Sequence, residues 1–139
     1  MKEIKEIRYK KKLLAVCFFS KIKSEGVRFL TPESFPLQIG LIQYKSGKVI
    51  KNHIHRQDIK YKVHTTQEFL YIERGAIKVK IFTESWKEVD ETILKSGDMV
   101  LFVGGGHGLE VIKDCRIFEV KQGPYPGDKY AKIYQDTSK

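Results

Sequence analysis

The chain is predicted to be all-β, a single sandwich or jelly-roll barrel, on three observations. Short apolar or alternating runs recur at fairly even spacing, turn residues such as Ser46-Gly47 and Ser96-Gly97-Asp98 separate them, and no window carries a convincing helical period. At 139 residues, with 41% hydrophobic and 12% aromatic content, the chain is the size of one domain and can build a core without disulfides. The expected division is N-terminal strands over about 1–35, a barrel core over 36–122 and a C-terminal tail over 123–139.

In order, a basic lead-in containing Ile4, Ile7 and Tyr9 runs into an apolar strand from Leu13 to Phe19. That run is too short to span a bilayer and has no small-residue cleavage site after it, so it reads as a buried strand rather than a signal peptide. Val27 to Leu30 is a short edge strand; prolines 32 and 36 bracket a loop. Leu37 to Tyr44 is the next strand, with Gly40 marking a bulge or close approach. Ser46-Gly47 turns the chain into Val49-Ile50 and a His53-Ile54-His55 strand, and Ile59 to His64 alternates as an edge hairpin would.

Phe69 to Ile72 is apolar at successive positions, which predicts cover on both faces and hence a partner subunit on the outer one, a homodimer. Gly75 is expected to turn the chain into the alternating strand Ala76 to Phe82, and the hairpin tip that follows holds the only Trp. Thr92–Leu94, Met99–Phe102, Leu109–Ile112 and Cys115–Val120 are four more strands, and the Gly123-Pro124-Tyr125-Pro126-Gly127 tail cannot continue a sheet.

Composition excludes several classes of function. The formal charge of +9 rests on 21 lysines and only five arginines, a solvated surface rather than a specific nucleic-acid reader, though one attractive to anionic ligands. Cys17 and Cys115 form no C-x-x-C pattern and read as buried structural thiols. No P-loop, dinucleotide fingerprint or Ser/Cys nucleophile beside a base occurs. A cytoplasmic chain without membrane association is expected.

The chemistry-bearing residues are His53, His55, Glu68 and His107. Histidines at i and i+2 of a strand project from one face, with Cα atoms roughly 6.5–7 Å apart, close enough to share one ion. Glu68 shares a strand face with Leu70 and Ile72, and a carboxylate facing a barrel interior is costly unless paired or coordinated. His107 follows Gly104-Gly105-Gly106, where missing Cβ atoms allow a bend and close approach of a ligand. Three imidazoles and a carboxylate suit Fe, Mn, Ni, Co or Zn. His64 reads as exposed or a pocket wall, Glu73 as surface, and Glu110 and Glu119 as solvent-exposed or cavity-lining.

These residues carry a resemblance to the cupin superfamily. Gly47 is followed by five residues and His53-Ile54-His55; Glu68 is followed by six residues and Gly75; Ser96-Gly97-Asp98 opens a second motif that ends near His107. The pattern departs from the family's in the twelve residues between His55 and Glu68, in Val103 at the usual Pro, and in His107 arriving one residue early. The resemblance implies a cupin-type jelly-roll (double-stranded β-helix) barrel that binds a divalent metal ion and a small sugar-like or oxygenated molecule. It also implies an isomerase, epimerase or dioxygenase if the chain is an enzyme. The Gly-Gly-His-Gly stretch and the Glu119 to Tyr125 tail resemble small cupins associated with surface-polysaccharide metabolism. Two other outcomes remain open: a metal-free cupin similar to nucleotide-sugar ketoisomerases, and a non-catalytic ligand-binding dimer.

Overall fold

A computed structural model describes residues 2–136, so the end of the expected tail, 137–139, lies outside the described residues. Among the described residues eight strands occur: β1 (Ile4–Tyr9), β2 (Lys12–Phe18), β3 (Gly26–Phe29), β4 (Gly40–Gln43), β5 (Glu68–Phe82), β6 (Glu88–Lys95), β7 (Met99–Phe102) and β8 (Gly106–Lys121). One helical turn, α1 (Asp128–Ala131), falls in the tail. Among the described residues no helix is long and apolar enough to cross a membrane.

The main sheet is antiparallel, in the order β1-β2-β7-β5-β6, with β8 also paired to β5. It curls into a half-barrel. The curl brings the first and last strands of that order together: Lys5 of β1 reaches Asp90 of β6 at 3.0 Å and Thr92 Oγ1 at 2.8 Å.

Gly75 does not reverse the chain as its sequence context predicts. The strand runs straight through it, bent by register shifts against β8 on either side. Its φ is +92°, and a Cβ there would stand 2.2 Å from the Asp114 carbonyl oxygen. Only glycine fits so close a crossing. The bend lets one strand pair with β7 through its first half, β6 through its second, and β8 throughout. The two late strands expected over 109–112 and 115–120 are likewise one continuous β8.

The core has two parts, one on each side of β2 and β7. Ala15, Cys17, Val100 and Phe102 join Leu70, Ile72, Ile77, Val79, Ile81 and Leu94 on the concave side. Their alternates Val16, Phe18 and Leu101 form a second cluster, packed by Leu30, Phe35, Leu37, Ile39 and Leu41 from the β3–β4 layer and its loop. Phe69 packs against that second cluster, so the outer cover inferred for it comes from the chain itself; Tyr71 is exposed.

Asp98 ties the ends of β2 and β6 at the step into β7. Its Oδ1 accepts from the Ser20 N–H at 2.9 Å and its Oδ2 from the Lys95 N–H at 2.8 Å, while Gly97 (φ +89°) supplies the left-handed step. The Ser-Gly-Asp motif thus has a structural duty, closing the turn between β6 and β7.

Residues 44–67 contain neither strand nor helix, contrary to the strand expected at His53-His55 and the hairpin expected at 59–64. Of the two thiols, Cys17 is buried and Cys115 half-buried, and both are free.

Two measurements check this architecture. Gly75→Ala is expected to lose about 3 kcal/mol or more in chemical denaturation. Gly108→Ala, where a Cβ meets only the Phe82 ring at 3.9 Å, is expected to change stability by less than about 0.5 kcal/mol. Burial pushes the Cys17 thiol up to about 12, Lys5 opposing it weakly. A thiol reagent at neutral pH should therefore label Cys115 in the native chain and Cys17 only as the protein unfolds; equal rates would contradict the packing.

Candidate functional site

The concave face gathers polar residues at one end. Glu68 opens β5 opposite Phe102 of β7 and Lys121 of β8, so all three side chains point to one side of the sheet. Glu119 stands opposite Leu70 and His107 opposite Ile81, both core residues of the concave cluster. Glu68 and His107 lie at opposite ends of the β5–β8 ladder, and the curl of the sheet closes the gap. His107 Nε2 is 3.6 Å from Glu68 Oε1.

Phe102 holds the imidazole. The two rings stack in parallel, centroids 3.7 Å apart and 5° between planes. The stack is possible because the Gly104-Gly105-Gly106 turn folds β8 back over the end of β7. Val103 and Gly104 N–H groups both donate to the Leu14 carbonyl, at 2.8 and 3.1 Å, which fixes the start of that turn.

The glycines themselves make room for protein rather than for a ligand. A Cβ on Gly105 would sit 2.3 Å from the Phe82 carbonyl oxygen, and one on Gly106 would sit 2.7 Å from the Trp86 ring. The close approach inferred for these residues is therefore to the neighbouring hairpin, whose Trp86 meets Phe82 edge-to-face at 5.9 Å. Phe102 was missed by sequence reasoning; its one signal is the five-residue spacing to His107 across a glycine turn.

The electrostatics favour an ionised Glu68. The polar contact with His107 is the largest effect holding its carboxyl below the usual carboxylate range, and burial opposes it. Glu119 and Lys121 add smaller downward effects. At 3.6 Å the Glu68–His107 contact is longer than a hydrogen bond, so the attraction is electrostatic. Lys121 also pairs with Glu119 at 3.2 Å and lies 4.4 Å from the Tyr125 ring centroid. Beside this cluster an open groove of about 600 Å³ is lined by Glu119, Val120, Lys121, Tyr125 and Lys132.

His53 and His55 form a second pair, on the exposed 44–67 segment. Their rings meet edge-to-face with centroids 5.0 Å apart, and His53 Nδ1 is 2.8 Å from the Lys51 carbonyl oxygen. The four residues expected as one set are thus present as two pairs. Among the described residues no three His, Cys, Asp or Glu side chains gather in a group that could hold a metal ion. His64 is exposed on the same segment. Glu73 faces Arg116 at 3.9 Å and Glu110 faces Lys78 at 3.9 Å. Glu110 and Glu119 are both solvent-exposed, Glu119 on the same side of the sheet as Leu70.

Compared with protein-family models, curated proteins and solved structures, the chain matches none.

A folded-state pKa below the ordinary carboxylate value means that the Glu68–His107 attraction stabilises the fold above the unfolded-chain range. That contribution is lost as pH falls through Glu68's depressed value. In His107→Ala the upward effect of burial loses its main opponent. The Glu68 titration midpoint, followed by carboxyl-carbon NMR, is then expected to rise; an unmoved midpoint would show that the ring does not govern this carboxylate.

Proposed function

We propose that the chain is a metal-binding cupin whose half-barrel binds, or acts on, a small sugar-like or oxygenated organic molecule. The observation that carries this reading is the Glu68–Phe102–His107 constellation: a half-buried carboxylate and an imidazole, held over an aromatic ring inside the curl of the sheet. The donor chemistry of His53, His55, Glu68 and His107 fits a borderline divalent ion, which when bound would act as a Lewis acid toward a substrate oxygen. Their present placement as two pairs does not make a single site, so no step is routed through the ion.

The chain's own residues have definable tasks. Glu68, ionised, faces His107 Nε2 at 3.6 Å and sets the side from which that ring can exchange a proton with a ligand. Phe102 restricts the imidazole to one plane and shields one of its faces from water. Lys121 and Glu119 supply a donor and acceptors within the same cluster for hydroxyl or carbonyl groups of a ligand. A jelly-roll closed over this face would enclose that ligand. The proposal includes a homodimer, for which Tyr71, Phe118 and Val120 offer an exposed apolar row on the outer face.

The direct Glu68–His107 contact also favours a second reading, a metal-free cupin similar to nucleotide-sugar ketoisomerases in which this dyad moves the proton. Elemental analysis of protein purified without chelator separates the two. The first reading expects about one divalent ion per chain, with affinity reduced at least about tenfold in His53→Ala and in Glu68→Gln. Metal-free protein that takes up no added Mn, Fe, Co, Ni or Zn would leave only the second.

A further inference from the structure

Two parts of the molecule are unfinished, and they are complementary. The first is the edge of β8. Along Gly106–Lys121 its partner is β5, and no described strand lies on its other side. A free edge presents a row of unpaired N–H and C=O groups ready to template another strand. The first half of this edge also lacks cover on the concave side. Leu109 and Val111 stand opposite Val79 and Ile77, which are completely buried, yet they are themselves 46% and 59% exposed.

The second unfinished part is the 44–67 segment. Connections of this length without secondary structure are uncommon in a compact domain. Its large apolar residues are nevertheless out in solvent, Ile54 at 91% and Tyr61 at 82%. Ile59, Tyr61 and Val63 alternate with Lys60, Lys62 and His64, a sequence with one apolar and one polar face when extended. The tether is short. The segment ends at Gln67, whose N–H donates to Gln122 Oε1 at 2.7 Å, and the next residue, Glu68, is the one that meets His107 near the start of β8. From Val63 to Glu68 the extended chain reaches roughly 17 Å, enough to place the alternating run beside that edge.

We infer that residues 44–67 are a strap that closes on the free edge of β8, pairing its backbone with residues 107–113 and laying Ile59, Tyr61 and Val63 over Leu109 and Val111. Lys60 and Lys62 then remain on the solvent side. The occupant is the chain's own segment because a tether this short gives an effective concentration on the order of millimolar, above that of a second copy at micromolar protein. Closure completes the wall of the half-barrel beside His107. It uses backbone pairing and apolar contact, and needs no metal ion.

Residue-resolved amide hydrogen exchange on the full chain, in chelator, tests it. Those amides of 107–113 that point away from β5 and those of 59–63 are expected to exchange at least about a hundredfold slower than coil. Leu109→Asp should raise exchange in 59–63 at least about tenfold while β2 and β7 keep their protection, which separates release of the strap from loss of the fold. Coil-like exchange through 44–67 in the unaltered chain, protection there that survives Leu109→Asp, or protection that grows with protein concentration would each overturn the inference. The last result would assign the edge to a second copy. Because chelator is present, none of these outcomes bears on metal uptake.

Discussion

The crossing of Gly75 over the Asp114 carbonyl is the constraint on which the rest of the structure depends. A sheet of ordinary twist could not give one strand three neighbours and also bring its ends toward each other. A bend can, and the bend requires a residue with positive φ and no side chain at the point of contact. From it follow the shared membership of β5, the curl of the sheet and the clasp of Lys5 on Asp90. The meeting of Glu68 with His107 follows as well, since in a flat sheet they would lie a full strand length apart.

The concave cluster shows how an aromatic side chain can serve electrostatics. Stacked on Phe102, the His107 ring loses water from one face without meeting another charge there. Its Nε2 faces Glu68, near the Glu119–Lys121 pair. A carboxylate so placed is stabilised in its ionised form against the cost of burial.

Much of the strand content was legible because apolar runs such as Leu13–Phe19 and alternating ones such as Ala76–Phe82 carry their own period. Glycine was the harder sign to interpret. The same residue type that reverses a chain elsewhere bends β5 at position 75, and at 105 and 106 it admits Phe82 and Trp86 rather than a ligand. Those outcomes turn on which atoms lie opposite, which local sequence does not carry. The placement of Glu68 on the concave face followed from alternation with Leu70 and Ile72, and the structure has it there. The histidine pair shows the limit: two residues at i and i+2 share a face only when the backbone is a strand, and strandhood depends on a partner edge.

The double burial of β2 has a consequence for how the sheet finds its alignment. Where one face of a strand is dry and the other wet, sliding by one residue inverts inside and outside, and solvation alone forbids the slip. From Leu14 to Phe18 every residue is buried, so a shifted β2 would still bury apolar groups on both sides. Solvation is nearly blind to that error. Discrimination passes to Asp98, whose two oxygens find the Ser20 and Lys95 amides together only when the strands are correctly aligned. One carboxylate thus acts as the vernier for a stretch that oil and water cannot index.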